Sequence, residues 1–282
     1  SGKSGLAIQL AKKFNGEVVS ADSRQIYKGL DIGTGKVTKK EMLGIPHHLL
    51  DVVSPNRQWS VTQYVKAGRK AIADILSRGK VPIICGGTGF YVNVLLGEMS
   101  VAETPANPEL RRKLETKTAP QLYAQLKKLD PARAATVDPH NKVRLVRSIE
   151  VAKALGAMPV QKTEKRYETL KIGLAVENKK LTTLINKRLL AHLKQGMVKE
   201  AKNLHDQGLS FKRMNQLGLE YRYLAYFLQG KMTREEMIEK LQIEIRRYAK
   251  RQMRWFKRDK KIEWLSPTKT LVIEKKVKTF LQ

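Results

Sequence analysis

The stretch Ser1-Gly2-Lys3-Ser4 decides the fold of this chain, read together with the helix and strand that follow it. Gly16 ends that helix, and Glu17-Val18-Val19-Ser20 has the pattern of a buried strand that delivers Asp22 to its carboxyl end. A glycine turn that opens a helix points backbone N–H groups at phosphate, while its lysine neutralises the phosphates and its serine binds Mg²⁺. The sequence therefore predicts a phosphate-binding loop. Apolar residues at helical spacing support the helix: Leu6, Ala7, Leu10, Ala11 and Phe14.

Only the second half of the usual loop pattern, Gly-Lys-Ser, is present, and we expect a strand and an earlier glycine to precede Ser1. Further along, Val81–Cys85 predicts another buried strand, which leads into Gly86-Gly87-Thr88. Alternating strands and helices are typical of a parallel α/β sheet, and ligands bind at the carboxyl ends of its strands. We therefore expect Asp22 and Thr88 to lie near the phosphate loop.

The predicted fold class is a P-loop NTPase-like α/β core with a parallel sheet and a mostly helical insertion domain. The core is assigned to residues 1–115 and 236–282, with a further core strand at 171–176. The insertion is assigned to residues 116–235, where Lys, Arg, Gln and Ala predominate and helical patterns follow one another.

The composition excludes several protein classes. The chain has 282 residues, 41% of them hydrophobic, and no apolar run of membrane-spanning length, so we expect no membrane association. A single cysteine, Cys85, excludes an internal disulfide framework and favours a reducing, cytoplasmic location. The expected form is a monomer.

The charge indicates a polyanionic partner. Fifty-five Lys and Arg against 26 Asp and Glu give a net charge of +29, although charge alone does not separate nucleic acid from an anionic membrane. Nine basic residues and one acidic residue lie between Arg246 and Lys261, on a helix that Thr233 and Glu236 are predicted to cap. That helix should pack one face and present the other, which favours a structured basic surface.

Five motifs, in order along nearly the whole chain, resemble the bacterial tRNA dimethylallyltransferase family, also called tRNA isopentenyltransferases. Asp138-Pro139 followed by Arg144, Arg147 and Glu150 is also similar to that family's pattern. The five motifs are Asp22-Ser23-Arg24-Gln25-Ile26-Tyr27, Asp31-Ile32-Gly33-Thr34-Gly35-Lys36, Ile45-Pro46-His47-His48-Leu49-Leu50-Asp51, Gly86-Gly87-Thr88-Gly89-Phe90-Tyr91 and Ala249-Lys250-Arg251-Gln252.

The resemblance implies transfer of the dimethylallyl group of dimethylallyl diphosphate to N6 of the adenosine on the 3′ side of the tRNA anticodon. That chemistry needs a clamp for the leaving diphosphate and a base for the N6 proton. The family's base corresponds to Asp22, and Thr88 is the second catalytic candidate. Mg²⁺ held by Ser4 is the expected cofactor, and the tRNA anticodon stem-loop is the expected partner.

Similarity also implies the binding residues. Ser1, Gly2, Lys3, Ser4 and Arg222 are the expected diphosphate-binding residues. Arg222 lies in Glu220-Tyr221-Arg222-Tyr223, which departs from the family's usual Gly-Tyr-Lys/Arg-Glu. The expected tRNA-binding residues are Asp22, Ser23, Arg24, Gln25, Thr88, Arg111, Val143, Arg144, Leu145, Val146 and Arg147.

Two other functions stay open at this point, a small-molecule P-loop kinase and a basic RNA-binding ATPase. A kinase would not need the basic helical half, and an ATPase should show an acidic pair at the end of a hydrophobic strand. His47 and His48 have no third ligand at suitable spacing, so structural roles are expected for both. Trp255 is expected to pack in the core, and Gly86 and Gly87 to allow close passage of the backbone.

Overall fold

The computed structural model describes residues 2–159 and 163–282. The chain forms two compact units, one made of Ser1–Leu96 with Arg166–Gln282 and one made of Gly97–Lys165. Among the described helices, none has the length and apolar character that crossing a bilayer requires.

The first unit contains a three-stranded parallel sheet in the order β2-β1-β3. Its strands are β1 (Gly16–Ser20), β2 (His47–His48) and β3 (Val81–Cys85). The central strand β1 is buried along its whole length, and its last residue, Ser20, lies opposite Cys85 of β3. The prediction of an α/β fold with a parallel sheet is confirmed.

Four helices accompany this sheet. Ala7 and Ala11 of the first one pack against Val18 of β1. Before the third, the Ser60 hydroxyl accepts the N–H of Gln63, whose side chain accepts the N–H of Ser60, so these two residues form a capping box. The helices are α1 (Lys3–Lys13), α2 (Lys39–Met42), α3 (Val61–Ser77) and α4 (Gly89–Leu95).

The second unit is helical. Its core is made of aliphatic side chains, among which Leu122, Leu126, Leu145 and Ile149 are fully buried. Its helices are α5 (Pro108–Glu115), α6 (Ala119–Leu129), α7 (Pro131–Thr136) and α8 (Lys142–Leu155).

The chain returns to the first unit through a second parallel pair, β4 (Lys171–Leu174) and β5 (Ile262–Leu265). Among the described residues, β4 forms a ladder only with β5, so the predicted strand at 171–176 exists but does not extend the sheet of β1, β2 and β3. The remaining helices are α9 (Asn178–Lys194), α10 (Met197–Asp206), α11 (Phe211–Leu217), α12 (Leu219–Leu228), α13 (Arg234–Phe256) and α14 (Thr270–Leu281).

The helical insertion has different edges from those expected. The compact helical unit is Gly97–Lys165, whereas the expected insertion was 116–235. The helices between 178 and 228 belong to the first unit because α12 packs against α13 and α10, and α9 packs against α13. Helical composition alone does not reveal which partner a helix packs against, and this explains the difference.

The N-terminal end of β1 carries an ion cluster. Glu17 is 2% exposed and accepts hydrogen bonds from Arg78, from Lys80 Nζ at 2.8 Å and from His48 Nε2 at 2.7 Å. These bonds, with that from Arg78 the largest effect, hold the pKa of Glu17 far below its ordinary value despite burial. His47 contacts the Ile45 carbonyl oxygen at 2.8 Å, so both histidines have structural partners, as predicted.

Candidate active site

The carboxyl ends of β1 and β3 bring two predicted site segments together. The N–H of Ala21 donates to the Cys85 carbonyl at 2.8 Å, and the N–H of Thr88 donates to the Ala21 carbonyl at 3.1 Å. A Cβ at Gly86 would lie 2.2 Å from the Ala21 carbonyl oxygen, so only glycine fits there. The segments that carry Asp22 and Thr88 are therefore adjacent.

Hydrogen bonds fix the turn that carries Asp22. The Thr88 hydroxyl oxygen accepts the N–H of Ser23 at 3.1 Å and lies 3.4 Å from the Ser23 hydroxyl. One carboxylate oxygen of Asp22 accepts the N–H of Arg24 at 2.8 Å. Thr88 thus stabilises the turn by a side-chain hydrogen bond, and Asp22 is the first residue of that turn.

The predicted phosphate loop lies at the same edge of the sheet. Gly2 has φ +80° and caps α1, whose first residue is Lys3; Ser1 lies outside the described residues. Lys3 is exposed, yet the surrounding protein desolvates its ammonium and lowers the pKa of Lys3, with Arg188 adding to the effect and Cys85 and Asp22 opposing it. Lys3 and Asp22 are thus within electrostatic reach of each other.

The thiol of Cys85, at the end of β3, interacts with both the phosphate loop and Asp22. Burial raises the pKa of Cys85, while Lys3 and a hydrogen bond with Ser4 act in the opposite direction. Ser4, Lys3 and Asp22 all act on this one buried thiol. The phosphate loop and the turn after β1 therefore meet at the end of β3.

Helix α13 covers the glycine turn after β3. The side-chain amide of Gln252 donates to the Gly87 carbonyl at 2.8 Å, and a Cβ at Gly89 would lie 2.1 Å from Cδ1 of Trp255. Trp255 also meets Phe90 edge to face, with ring centroids 6.4 Å apart. The packing role predicted for Trp255 is confirmed. The opposite face of α13 exposes Arg247, Lys250, Arg251 and Arg254, and the turn that ends the helix exposes Lys257 and Arg258.

Two charged residues of the site have no counterpart among the sequence predictions. Glu220, in the first turn of α12, has its pKa raised to about 7 by burial and by Asp22, while Arg188 and Arg24 oppose the shift. Arg188 comes from α9, and its guanidinium carbon would lie 3.8 Å from a Cβ at Gly35. Neither residue stands in a motif that marks a role, although Glu220 appeared as the departure from the family pattern.

Arg222 is exposed on α12, close to Arg24. A Cβ at Gly218 would lie 3.6 Å from Nη2 of Arg24 and 4.0 Å from Nη2 of Arg222. Two guanidinium groups therefore approach one point beside Gly218. Such a pair suits an anion with several oxygens, because each guanidinium presents a fork of donors.

Two predicted tRNA-binding arginines of the second unit bind a buried carboxylate. Arg111 donates to both oxygens of Glu150, from Nε at 2.9 Å and from Nη2 at 2.8 Å. Arg147 donates to Glu150 at 2.5 Å and to the carbonyl oxygens of Ala102 and Thr104. Burial raises the pKa of Glu150, but these bonds outweigh it and leave the pKa below its ordinary value. The geometry gives both arginines a structural task.

The remaining predicted tRNA-binding residues lie at the start of α8, where some side chains are exposed and others are buried. Val143 is 79% exposed and Arg144 is exposed as well. Leu145 and Val146 are buried in the core of the second unit, at 0% and 8% exposure. Their side chains are therefore core residues, and only Val143 and Arg144 of this run offer side chains to a partner.

Comparison with known proteins identifies the family. The sequence model described as IPP transferase matches residues 25–259. A tRNA dimethylallyltransferase of Anoxybacillus flavithermus is 39% identical over 285 residues, which cover 99% of this chain and 91% of that protein. The chain belongs to the IPP transferase family. The resemblance seen in the five sequence motifs is thereby confirmed.

Two solved structures of transferases that carry related names have the same fold as this chain. The full-length tRNA isopentenylpyrophosphate transferase of Bacillus halodurans superposes with a TM-score of 0.74 at 34% identity, covering 99% of this chain and 93% of that one. A eukaryotic dimethylallyltransferase described as acting on tRNA gives a TM-score of 0.78 at 31% identity, with 90% and 67% covered. Membership of the IPP transferase family makes this chain a transferase, so the kinase and ATPase alternatives lose their support.

A divalent metal ion is compatible with IPP transferase membership, but residues 2–159 and 163–282 contain no group of three or more His, Cys, Asp or Glu side chains placed to hold one. Ser4 and Asp22 supply oxygen atoms near the phosphate loop, which suits a hard cation. Mg²⁺ commonly keeps several waters and takes one or two protein oxygens together with substrate phosphates. The residues present fit that limited role.

Proposed function

We propose that this IPP transferase moves the dimethylallyl group of dimethylallyl diphosphate to N6 of the adenosine on the 3′ side of a tRNA anticodon. One observation carries the proposal: the carboxylate of Asp22 and the ammonium of Lys3 share the carboxyl edge of the sheet. A base for the nucleophile and a cation for the leaving group are the two elements this reaction needs. The names of the relatives supply the substrate class.

Asp22 acts as the base in this reaction. The N6 nitrogen attacks the allylic carbon, the carbon–oxygen bond to diphosphate breaks, and the N6 proton passes to the Asp22 carboxylate. An aromatic amine is a weak nucleophile, so removing its proton as the bond forms contributes about 10²–10⁴-fold by the usual range for general-base catalysis. Thr88 and Ser23 hold the turn that aims this carboxylate.

The leaving diphosphate binds at the start of α1. Backbone N–H groups at the beginning of this helix and the Lys3 ammonium face the anion, and the helix dipole adds a favourable field. Arg222 and Arg24 provide further cationic donors near Gly218. The negative charge that develops on the departing oxygen is stabilised by these groups.

Mg²⁺ is the metal we propose. Ser4 is the residue that would hold it, and the cation would neutralise charge on the diphosphate. A hard cation suits this oxygen donor, whereas the buried Cys85 thiol beside it, with its raised pKa, is a poor ligand for the cation.

We propose two separate sets of tRNA contacts, one from the exposed basic side chains of α13 in the first unit and one from Arg144 in the second unit. Phosphate contacts from these basic side chains would offset the cost, roughly a few kcal/mol, of turning the target base out of its stack. A net charge of +29 supports such a polyanionic partner. The tRNA substrate and the single free cysteine favour the cytoplasm as the place of action, and a monomer is the form we propose.

Transfer of isotope from labelled dimethylallyl diphosphate to unmodified tRNA tests the proposal. Two RNAs are compared, one with adenosine and one with guanosine at the position 3′ to the anticodon. We expect label only in the first, recovered as N6-substituted adenosine after digestion. Label in neither RNA, or equal label in both, would contradict the proposed reaction.

A further inference from the structure

Three consecutive backbone amides of the Asp31–Lys36 loop bind one carboxylate. Glu200 Oε2 accepts the N–H of Asp31 at 3.1 Å and that of Ile32 at 2.7 Å, and Oε1 accepts the N–H of Gly33 at 3.0 Å. Glu200 lies in the first turn of α10. Charge-assisted bonds of this kind are about twice as strong as neutral ones. The conformation of this loop therefore depends on a residue far away in the sequence.

The same carboxylate also binds the start of α12. The hydroxyl of Tyr221 donates to Glu200 Oε1 at 2.6 Å, and the tyrosine is only 1% exposed. Burial, reinforced by Glu200, raises the pKa of Tyr221, so the hydroxyl keeps its proton and remains a donor. The ring reaches this place because residue 33 is glycine: a Cβ there would lie 2.8 Å from Cζ and the hydroxyl oxygen of Tyr221.

The loop held by Glu200 is connected to the turn after β1. The side-chain amide of Gln25 lies 3.4 Å from the carbonyl oxygens of both Thr34 and Gly35. The Lys36 ammonium donates to the Tyr27 carbonyl at 2.9 Å and to Asp31 and Asp51 at 2.6 Å. One side of the loop thus contacts the segment that begins with Asp22.

Tyr221 carries the connection to the opposite side of the site. Its neighbours in sequence are Glu220, which is in electrostatic contact with Asp22, and Arg222, which approaches Arg24. A single carboxylate therefore links the nucleoside side, through Gln25, with the diphosphate side, through α12.

We propose that Glu200 is a positioning residue of the transferase, which holds the Asp31–Lys36 loop and Tyr221 in register so that Asp22 and Arg222 act on the same substrate pair. The proposal rests on the function proposed above. A carboxylate is required because four donors converge on two oxygens. A glutamine would present one oxygen and would point an NH₂ group at other donors.

Single-turnover transfer measures this role. In Glu200→Gln we expect the transfer rate at saturating substrates to fall about tenfold or more, while the tRNA dissociation constant stays within about twofold. Tyr221→Phe keeps the carboxylate and loses one donor, so the same rate should fall by less. Glu200→Asp keeps both oxygens and should recover part of the loss. Glu168→Gln, the same change at an exposed position of the segment before β4, should be normal.

Hydrogen exchange separates this proposal from the failure of the proposed function. We expect the amides of Asp31, Ile32 and Gly33 to exchange at least tenfold faster in Glu200→Gln, while amides of α3 keep their protection. Loss of protection everywhere, or a normal transfer rate despite local opening, would overturn the positioning role. If the wild-type protein transfers no label to tRNA, the proposed reaction is wrong. In that case the inference about Glu200 is still tested by hydrogen exchange: unchanged exchange at residues 31–33 in Glu200→Gln would overturn it.

Discussion

Two carboxyl groups, one in each unit, have neighbouring arginines and opposite shifts of pKa; Glu150 is 1% exposed, whereas Glu220 is partly exposed. Glu150 receives direct hydrogen bonds from Arg111 and Arg147, and its pKa is lowered. Glu220 interacts with Arg188 and Arg24 only through the electrostatic field, faces Asp22, and has its pKa raised to about 7. Direct bonds offset desolvation, whereas distant charges do not. Arg111 and Arg147 therefore stabilise the fold of the second unit through Glu150, whereas Arg188 and Arg24 make no direct bond to Glu220 that would hold its charge.

Asp22→Asn should have the largest effect, because it removes the base from the site and leaves the second unit untouched. We expect single-turnover transfer to fall about 10²–10⁴-fold, with tRNA affinity nearly unchanged. Asp206→Asn, the same change at an exposed position of α10, is the matched control. Near-normal transfer by Asp22→Asn would assign the proton to another group.

Arg111→Ala tests whether Arg111 stabilises the fold of the second unit through Glu150. It takes two donors from the buried Glu150, so we expect the free energy of unfolding to fall by about 1–3 kcal/mol, measured by urea denaturation. Arg112→Ala removes the same charge at an exposed neighbouring position and should cost little. Equal stability of the two variants would return Arg111 to the set of free RNA-binding arginines.

Glu220→Gln should sharpen the comparison through pH. The carboxyl titrates near its ordinary pKa of 4.5 when unfolded and at about 7 when folded, so the protonated form favours the folded state. The free energy of unfolding of wild type therefore falls as pH rises from about 4.5 to about 7. The variant lacks this loss, and at pH 8 it should be more stable than wild type by roughly 1–3 kcal/mol, allowing for the side chain's remaining solvent contact.

Urea denaturation at pH 4.5 and pH 8 checks the sign. The free energy of unfolding should differ between Glu220→Gln and wild type at pH 8, and the difference should nearly disappear at pH 4.5. Glu150→Gln should behave oppositely and lose stability at pH 8, since its carboxylate form is the one that the fold stabilises. The same sign in both variants would mean that the two environments do not differ as the structure shows.

Arg144→Ala should have the smallest effect, confined to tRNA binding. The side chain is exposed, so folding stability should stay within about 0.5 kcal/mol of wild type. If Arg144 contacts one phosphate, the slope of log affinity against log salt should decrease in magnitude by about 0.7–0.9. Titration of tRNA at several salt concentrations provides the slope, and an unchanged value would remove Arg144 from the interface.

Local pattern was enough to predict the elements that carry the site. Short buried apolar runs located β1 and β3, and the Thr233–Glu236 box located the start of α13. These signals lie within a few residues of each other along the chain. For the same reason the adjacency of Asp22 and Thr88 could be expected, since parallel strands end at the same edge.

The contributions of distant helices could not be predicted in this way. Glu200, Arg188 and Glu220 come from α10, α9 and α12, and the three backbone amides that bind Glu200 lie 167 to 169 positions away along the chain. A single sequence gives no signal for such pairings. Likewise Glu150 stands three residues after Arg147, but the sequence did not show that it is buried and therefore binds the arginine inside the unit.

The glycine turn under α13 limits how this enzyme can diverge over evolutionary time. A Cβ at Gly86, Gly87 or Gly89 would lie 2.1–2.2 Å from the nearest atom, which belongs to the backbone of Ala21, the side chain of Gln252 and the ring of Trp255, respectively. A side chain at Gly89 would require the Trp255 ring to move, whereas at Gly87 the flexible end of Gln252 could turn aside. The basic face on the other side of the same helix has no such constraint, so one helix combines an exposed surface that is free to vary with a packed surface on which Gly89 and Trp255 can change only together.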